Sequence, residues 1–403
     1  MSQLVIFADD LTGAADATAP FSKRGLTSIL CLQIHDDAQS DVFTVVTHSR
    51  LSLDDLAVAQ HCSVVQAAQD AGLLKSAPRI YQKIDSTLRG YPAQILNATM
   101  DMTGMEKALV TPTFPEQGRT TQNGCVFLNG KPLSQSEFGK AIESDDLIAL
   151  FKQQVRPVIL IDLDCVKQGI DAVVTVMQKH ASAIFVADAE TREDLACLSF
   201  AAKKNDIRLL CGSAGLAGGL AQIYKQKLAS EVALPEHKGP VLAVSGSQHP
   251  IMALQVQTIK KMGIDVVPGH DRIFYDLDNW MHCVKQESCR LLKKGVDIVI
   301  TTAGLAIGPQ SAAISSAVGS TIKEILNEER VGGLFLTGGN VAQAVCEALG
   351  SSKILLVGQV EAGVVVGRFL DGRYSGLFVV TKAGGFGHPN TLLQSIQYLK
   401  NID

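Results

Sequence analysis

Short apolar runs alternate with longer amphipathic segments along most of the chain. Runs such as LVIFA, VILI and AIFVA are continuously apolar, which is typical of strands buried on both faces of a parallel sheet. The segment 53–72, LDDLAVAQHCSVVQAAQDAG, has helix composition and ends in glycine. The alternation therefore predicts an α/β fold in which right-handed crossovers join mainly parallel strands.

The pattern is interrupted once, at 225–240, where KQKLASEVALPEHKGP combines charge, proline and glycine. We therefore predict two α/β domains, 1–228 and 238–403, with a linker at 229–237. Strands are predicted within 4–10, 27–33, 42–50, 79–85, 107–114, 158–164, 183–189, 208–213, 241–247, 264–269, 297–304, 333–339, 353–359 and 377–385, and helices within 13–25, 53–72, 92–101 and 214–227. DGRY at 371–374 predicts a turn between two strands.

Composition and charge argue against several classes of protein. Of 403 residues, 46% are hydrophobic and 19% charged, a balance typical of a chain with a packed core. The net charge of −4 without a long basic run argues against nucleic-acid binding, and the longest apolar runs are too short to span a bilayer. MSQLVIFADD lacks the features of a signal peptide. Nine cysteines without a CxxC motif indicate free thiols in a reducing cytoplasm.

Charged and hydroxyl side chains follow several predicted strands of the N-terminal half. Asp9 and Asp10 end the first strand and precede a helix. An N-cap requires only one acidic residue, so the pair indicates a functional role beyond capping. THSR ends the third predicted strand and so brings Arg50 to the same sheet edge. Ligands of open α/β sheets bind at this edge, beyond the carboxyl ends of the strands.

Two further segments add cations to this edge. KIDSTLRG contains Lys83, Asp85 and Arg89, and a proline-rich loop at 112–124 contains Arg119. Each segment alone is also compatible with a solvated strand end. Together they indicate a small, polyhydroxylated, anionic ligand, because the planar arginine fork can bind both oxygens of a carboxylate.

The strand ends of the C-terminal half differ in chemistry. SGSQHP, TTAG, TGGN and KAGGFG are rich in glycine and hydroxyls and poor in charge. Glycine allows the backbone to approach phosphate oxygens, and amides at helix N-termini favour anions. The pattern predicts a phosphate-bearing ligand, although the chain has neither a Walker motif nor a GxGxxG after its first strand.

A polyol acid on one domain and a phosphate donor on the other predict a phosphotransferase with an active-site cleft between the domains. Phosphoryl transfer requires positioning, charge neutralisation and a group that accepts the hydroxyl proton. Asp10 and Asp85 are the candidate bases, with Asp10 preferred, and Lys83, Arg89 and Arg119 could balance charge. Mg²⁺ is expected from the chemistry and not from any metal-ligand spacing.

Seven motifs, taken in order, resemble the four-carbon acid sugar kinases, a family once catalogued as a domain of unknown function. They are ADDLTGAADA at 8–17, KIDSTLRG at 83–90, PTFPEQGRTT at 112–121, GSAGLA at 212–217, SGSQHP at 245–250, LTGGN at 336–340 and KAGGFGHP at 382–389. The resemblance covers essentially the whole chain. It implies that residues 1–228 bind an acid sugar and residues 238–403 bind ATP. Family members phosphorylate the terminal hydroxyl of D-threonate, D-erythronate, 3-oxo-tetronate or similar acids, and KIDSTLRG is more similar to the threonate and erythronate branch.

The resemblance also implies roles for individual residues. Nucleotide contacts fall on Ser245, Ser247, Gly338, Gly339, Asn340, Val341 and Gly384, and substrate or catalytic contacts on Asp9, Asp10, Lys83, Asp85, Arg89 and Arg119. The chain departs from the family at three positions. Asn340 stands where an acidic residue is frequent, Ala383 replaces a hydroxyl residue, and His249 replaces a small hydroxyl residue.

The leading hypothesis is therefore an ATP-dependent kinase acting on the 4-hydroxyl of a four-carbon acid sugar in sugar-acid catabolism, with D-threonate first and D-erythronate second. The alternatives are a 4-hydroxythreonine or 3-oxo-tetronate 4-kinase, a nicotinamide-linked oxidoreductase, and a non-catalytic binding protein that closes on a sugar acid. The expected partners are ATP and the sugar acid, without nucleic acid or membrane. The oligomeric state stays open, with a homodimer as one alternative.

Overall fold

The chain forms two compact units, Met1–Ala229 and Ser230–Asp403. The structure is a computed structural model that describes residues 2–34, 40–50, 54–76, 78–152, 156–227, 239–268, 276–302 and 311–400. Each unit has α/β architecture, so the predicted fold class is confirmed. The predicted linker at 229–237 lies outside the described residues, and the cleft between the domains stays a prediction.

The N-terminal unit is built on a parallel sheet flanked by helices. Its strands are β1 Leu4–Ala8, β2 Ser28–Cys31, β3 Val42–Val46, β4 Arg79–Lys83, β5 Lys107–Thr111, β6 Arg119–Gln122, β7 Cys125–Leu128, β8 Lys131–Pro132, β9 Val158–Ile161, β10 Ala183–Ala187 and β11 Leu209–Gly212. Its α-helices are α1 Leu11–Ser22, α2 Asp54–Asp70, α3 Pro92–Thr103, α4 Leu147–Lys152, α5 Leu163–Lys167, α6 Ile170–Gln178, α7 Arg192–Lys204 and α8 Ala214–Ala221. The sheet order is β2-β3-β1-β4-β11-β5-β10-β9, and all the pairs within it are parallel.

The register of this sheet brings four sequence segments to one edge. Ala8, the last residue of β1, pairs with Val46 of β3 and with Lys83 of β4. Lys83 in turn pairs with Gly212 of β11. The segments that follow β1, β3, β4 and β11 therefore leave the sheet side by side, which is where ligands bind in open α/β sheets.

A small antiparallel sheet of β6, β7 and β8 corrects the sequence interpretation of the 112–124 segment as a loop. Its two turns are Asn123-Gly124 and Asn129-Gly130, and all four residues have φ between 50° and 77°. Paired positive φ values are those of the tight hairpin turns that Asn-Gly favours. The two Asn-Gly dipeptides around CVFL were the signal in the sequence that could have predicted this meander.

The C-terminal unit also has a parallel sheet, with an antiparallel edge. Its strands are β12 Val241–Ser245, β13 Asp265–Pro268, β14 Ile298–Thr301, β15 Gly333–Thr337, β16 Lys353–Glu361, β17 Val364–Phe369 and β18 Phe378–Lys382, and its helices are α9 Pro250–Lys261, α10 Leu277–Leu292, α11 Ser311–Glu328, α12 Gly339–Leu349 and α13 Thr391–Lys400. The order is β13-β14-β12-β15-β18-β17-β16. The turn at 371–374 connects β17 to β18, as predicted. The last two residues of TTAG, 303 and 304, lie outside the described residues.

Each unit has its own apolar core. The N-terminal core includes Phe21, Phe185 and Leu198, and the C-terminal core includes Phe335, Val380 and Ile396, all at most 1% exposed. The described helices include none that is long and apolar enough to cross a bilayer. The nine cysteines are all free thiols, as predicted.

Candidate active site

A buried ion cluster lies where β1 runs into α1. Arg50 donates to both carboxylate oxygens of Asp9, at 2.8 Å from Nε and 2.6 Å from Nη2. The same Nη2 lies 2.7 Å from Asp10 Oδ1. The side chains are 12% exposed for Arg50, 6% for Asp9 and 15% for Asp10. Two adjacent carboxylates thus share one guanidinium, which satisfies charges that would be costly to bury alone.

Asp10 is also the N-cap of α1, so the capping interpretation is confirmed, and its role in the site stays a prediction. Its Oδ1 accepts from the backbone N–H of Gly13 at 2.9 Å, and its Oδ2 accepts from Thr12 Oγ1 at 2.8 Å. Both oxygens of Asp10 are therefore engaged by protein donors.

Two left-handed residues aim the loops that carry the cations. His48 has φ 57°, and the chain turns there before Arg50. Leu88, buried at 2% exposure, has φ 58° in the segment that carries Arg89. Left-handed backbone is uncommon for a bulky leucine and is concentrated at functional sites.

Lys83 lies against the first turn of α1. Its ammonium donates to the carbonyl of Ile84 at 2.7 Å, and the residue is 5% exposed. A Cβ placed on Gly13 would lie 2.9 Å from Lys83 Nζ and 3.3 Å from Arg50 Nη2, and it would overlap Asp10 Oδ1. Gly13 therefore lets the cations and the carboxylate close over the helix start. The sequence interpretation did not single out this residue.

A second carboxylate–arginine pair follows β4. Asp85 Oδ2 accepts from Arg89 Nε at 2.5 Å and from Thr87 Oγ1 at 2.5 Å. The Arg89 side chain is 40% exposed, and its guanidinium carbon lies 5.7 Å from the centre of the Phe138 ring. Among the residues that the structure describes, none donates a hydrogen bond to Asp85 Oδ1.

Arg119, the first residue of β6, completes the cationic side of the site. Its Nη1 donates to the backbone carbonyl of Gln117. Burial lowers the pKa of Arg119, while Asp85 opposes that effect, so the guanidinium lies within reach of the Asp85 charge and stays cationic at neutral pH.

The two candidate bases are both ionised at neutral pH. Burial raises the pKa of Asp10, but Arg50 and Lys83 outweigh it and hold that pKa below its usual value. Burial likewise raises the pKa of Asp85, but Arg89 and Arg50 hold it well below the usual range. Opposite charges nearby favour the charged form of a carboxyl group.

Asp16 is a buried carboxyl that sequence reasoning missed. It lies on α1 and is 5% exposed. Burial raises its pKa to about 7; Lys83 lowers it, and Asp10 and Glu116 raise it further. The available signal was its place in the ADDLTGAADA motif, three residues after Gly13, since residues three apart lie on the same face of a helix.

In the C-terminal unit, the segments after β12 and β15 contact each other. Ser245 and Thr337 are paired across the two strands, and a Cβ on Gly338 would lie 3.1 Å from the carbonyl carbon of Gly246 and 3.2 Å from the nitrogen of Ser247. Gly338 has φ 90°, a conformation that favours glycine.

Two hydroxyls at this place are buried and lack partners. Ser245 is 2% and Thr337 0% exposed, and within the described part of the chain neither hydroxyl oxygen has a hydrogen-bond partner. Buried polar groups are nearly always hydrogen-bonded, so this pair is a candidate for contact with a ligand.

The remaining predicted nucleotide residues surround the same segment. Val341 packs against Gly246, and Gly384 against the Ser247 hydroxyl. Gly339 and Asn340 begin α12, and Asn340 is exposed. His249 caps α9 through Nδ1, which accepts from the N–H of Ile251 at 3.3 Å.

A metal ion has no preorganised cage in the described ranges, because no group of three or more His, Cys, Asp or Glu side chains is arranged to hold one. Asp9, Asp10 and Asp85 are each paired with an arginine. Mg²⁺ in nucleotide sites usually takes few carboxylates and relies on phosphates and water. The protein donors alone do not fit a metal site, so no residue role below depends on one.

Comparison with known proteins identifies the two units. Residues 4–220 match a family described as a sugar-binding N-terminal domain, and residues 242–392 match one described as a nucleotide-binding C-terminal domain. A D-threonate kinase of Cupriavidus necator is 31% identical over 98% of this chain and 98% of its own length. The chain belongs to the four-carbon acid sugar kinase family.

Other members of the family align over similar lengths. The D-threonate kinase of Salmonella typhimurium is 29% identical over 99% of each chain, and the D-erythronate kinase of Heliobacterium modesticaldum is 26% identical over 99% of this chain and 97% of its own. Since the relatives are kinases, the phosphotransferase hypothesis is confirmed over the oxidoreductase and binding-protein alternatives, and ATP use follows from it.

Solved structures share the fold of this kinase. A Haemophilus influenzae protein of the DUF1537 family superposes with a TM-score of 0.75 at 20% identity, covering 98% of this chain and 100% of its own. A Salmonella typhimurium LT2 protein described as a tRNA synthase superposes with a TM-score of 0.80 at 18% identity, covering 97% and 98%. At these identities the likeness establishes the fold alone.

Proposed function

We propose that the protein transfers the γ-phosphoryl group of ATP to the 4-hydroxyl of D-threonate, with D-erythronate as the second substrate. The observation that carries the proposal is the buried cluster of carboxylates and cations at the ends of β1, β3 and β4, in a chain whose full-length relatives include D-threonate kinases. A polyhydroxylated acid requires both hydrogen-bond acceptors and cations in one place.

Arg89 and Arg119 are proposed to meet the negative charges of the substrates. Arg50 already donates to Asp9 and Asp10 and is 12% exposed, so it is better suited to holding the carboxylates in place. Arg89 keeps 40% of its side chain exposed and uses only Nε toward Asp85 in the contacts above. Its two terminal nitrogens form a fork that suits a carboxylate or phosphoryl oxygens.

Asp85 is proposed as the proton acceptor, in contrast to the sequence preference for Asp10. Both carboxylates are ionised, so the availability of lone pairs decides between them. Asp10 Oδ1 accepts from Gly13 and Arg50, and its Oδ2 accepts from Thr12. Asp85 receives both of its hydrogen bonds on Oδ2, which leaves Oδ1 for a substrate hydroxyl.

The chemical step follows from these roles. The 4-hydroxyl oxygen attacks the γ-phosphorus, the new O–P bond forms as the bond to the β–γ bridging oxygen breaks, and ADP leaves. The hydroxyl proton passes to Asp85 Oδ1. Arg89 stabilises the charge on the transferring group, in a reaction whose transition state is mainly stabilised by electrostatics.

ATP is proposed to bind at Ser245, Ser247, Gly338–Val341 and Gly384. The unpartnered hydroxyls of Ser245 and Thr337 and the helix start at Gly339 support this proposal. Amides at the N-terminus of α12 favour phosphate. Mg²⁺ would accompany the nucleotide phosphates, as in other phosphoryl transfers.

A coupled ADP-release assay against a panel of four-carbon acids tests the proposal. The panel contains D-threonate, D-erythronate, 3-oxo-tetronate and 4-hydroxythreonine, each with ATP and Mg²⁺. We expect D-threonate to give the highest kcat/KM, because a polar site rejects an analogue with a misplaced hydroxyl by orders of magnitude. A higher kcat/KM for 3-oxo-tetronate or 4-hydroxythreonine would contradict the proposed substrate assignment. ADP release that does not depend on an added four-carbon acid would contradict the proposed reaction.

A further inference from the structure

Lys382 is the last residue of β18 and is completely buried. Its ammonium donates to three backbone carbonyls, those of Ala383 at 3.0 Å, Gly384 at 3.2 Å and Phe386 at 3.0 Å. The residue is 0% exposed. An ammonium has three N–H donors, and all three are used within the turn that follows the strand. A lysine beside a glycine-rich turn would ordinarily be taken for a phosphate ligand, but this one is saturated by the protein.

The position of the ammonium determines where the turn's amides point. The described peptide bonds are all trans, and a planar trans peptide directs its carbonyl and its N–H to opposite sides. Because the carbonyls of Ala383, Gly384 and Phe386 point to Lys382, the N–H groups of the residues after them point away from it. Those residues are Gly384, Gly385 and Gly387.

These three N–H groups have no acceptor among the residues that the structure describes, whereas the intervening N–H of Phe386 donates to Ala383 at 3.1 Å. Successive outward amides form the kind of backbone concavity that binds anions. The buried positive charge behind them increases that preference.

The turn is held against the proposed nucleotide segment. Gly384 lies so close to the Ser247 hydroxyl that a Cβ would overlap it, and a Cβ on Gly385 would lie 3.1 Å from the His249 ring. Gln255 supports the turn from α9, donating to the carbonyls of Phe386 at 3.3 Å and His388 at 3.0 Å. Any change in the turn would therefore move the amides relative to Ser247.

We propose that Lys382 is a positioning residue for the triphosphate of ATP. It draws three carbonyls inward, so that the amides of Gly384, Gly385 and Gly387 face phosphate oxygens, and it does not touch the nucleotide. The proposal deepens the proposed function, because it rests on ATP binding by the C-terminal domain.

The test compares Lys382→Met with wild type and with Lys323→Met, a matched change at an exposed lysine of α11. Methionine keeps the length and removes all three donors. We expect the KM for ATP to rise at least tenfold in Lys382→Met, with the KM for the sugar acid and kcat within threefold of wild type. Adenosine, measured by ligand-observed NMR, should bind both proteins equally, because it has no phosphate. Lys323→Met should match wild type throughout.

Three outcomes overturn the positioning role. An unchanged KM for ATP in folded Lys382→Met excludes it. Equal weakening of ATP binding and adenosine binding would mean that the variant disturbs the structure of the domain in general. A kcat loss of a hundredfold with an unchanged KM would make Lys382 catalytic. If wild type itself binds no ATP, the proposed function fails instead, which separates the two failures.

A second measurement on wild type applies even if the variant does not fold. Burial lowers the pKa of Lys382 to about 8, against the opposing effect of Glu361. The other titratable groups around the turn are Glu361, His388, which lies 3.3 Å from Glu361, and His249. The dissociation constant of ATP should therefore rise at least fivefold between pH 7.5 and 9.5, while that of adenosine stays constant. A flat ATP profile would contradict the proposal.

Discussion

At the scale of single residues, the site consists of buried charges that are stabilised by pairing with opposite charges. Asp9 and Asp10 share Arg50, and Asp85 holds Arg89. Removing one member of a buried pair usually costs several kcal/mol, because the other charge is left without a partner. Variants at these positions are therefore best made isosteric, and their folded state must be checked before activity is compared.

Asp85→Asn and Asp10→Asn should separate the two candidate bases. We expect Asp85→Asn to lower kcat by about 10²-fold or more, the size of a general-base contribution. Asp10→Asn should cost about tenfold or less, since asparagine still caps α1 and Arg50 keeps Asp9. Asp171→Asn, at a side chain 85% exposed, is the control. A larger loss of kcat in Asp10→Asn than in Asp85→Asn would assign the role of base to Asp10 instead.

Arg89→Ala tests the cation assigned to the transferring phosphoryl group. We expect kcat/KM to fall by about 10³-fold or more, as for other arginines in phosphoryl transfer. Arg89→Lys keeps the charge but loses the fork, so it should recover only part of that loss. Arg290→Ala removes a surface pair with Glu287 and should have no effect. A loss under about tenfold in a folded Arg89→Ala protein would exclude this role.

At the scale of elements, the start of α1 is the organising feature. Asp10 caps the helix, Gly13 one turn later allows Lys83 and Arg50 to approach, and Asp16 follows on the same face. A helix with a larger residue at position 13 would be more stable in isolation but would push the cluster apart. Local helix preference and site geometry therefore conflict at Gly13, as is expected at functional sites.

Gly13→Ala should reduce activity while leaving the protein folded. In an open helix site, alanine is favoured over glycine by about 1 kcal/mol, but here the new Cβ would lie 2.9 Å from Lys83 Nζ and overlap Asp10. We expect kcat/KM to fall at least tenfold. Gly218→Ala in α8, where no atom lies within 4 Å of the new Cβ, should keep full activity and raise the melting temperature. Equal activity of the two variants would contradict the packing argument.

At the scale of the whole molecule, the parallel topology converts separate motifs into one site. β1 lies between β3 and β4, so residues about 40 positions apart in sequence meet at one edge. The same topology buries α1 against the sheet and places the Asp16 carboxyl in the interior, where it affects the pH dependence of stability.

Asp16→Asn should stabilise the protein more at high pH than at low pH. The native pKa is about 7 and the ordinary value is 3.8, so between these values the native state holds a proton that the unfolded state has lost. The contribution of Asp16 to the free energy of unfolding of the wild type is fully present below about pH 4 and is lost as the pH rises through 7. The gain of the variant should therefore be about 3 kcal/mol larger at pH 8 than at pH 5, measured by urea unfolding. A gain that does not change with pH would show that Asp16 is not buried as a neutral acid.

The sequence predicted most of the strands but not every element. The apolar runs predicted most strands correctly, since continuous burial leaves a clear pattern. β6 to β8 were missed, because four-residue strands such as Arg119–Gln122 are half-buried and carry no continuous apolar run. The paired Asn-Gly turns were the only local signal for them.

By itself, the sequence determined the α/β class, the family and the set of charged residues that follow β1, β3 and β4, because motif identity and apolar periodicity are properties of the chain. Only the tertiary structure decided how the charges are shared. The sequence could not show that Arg50 pairs with Asp10, that Asp85 keeps one oxygen available, or that Lys382 donates to three backbone carbonyls. Each of these depends on which lone pairs and donors are already satisfied, and that is fixed by distances between segments that the fold brings together.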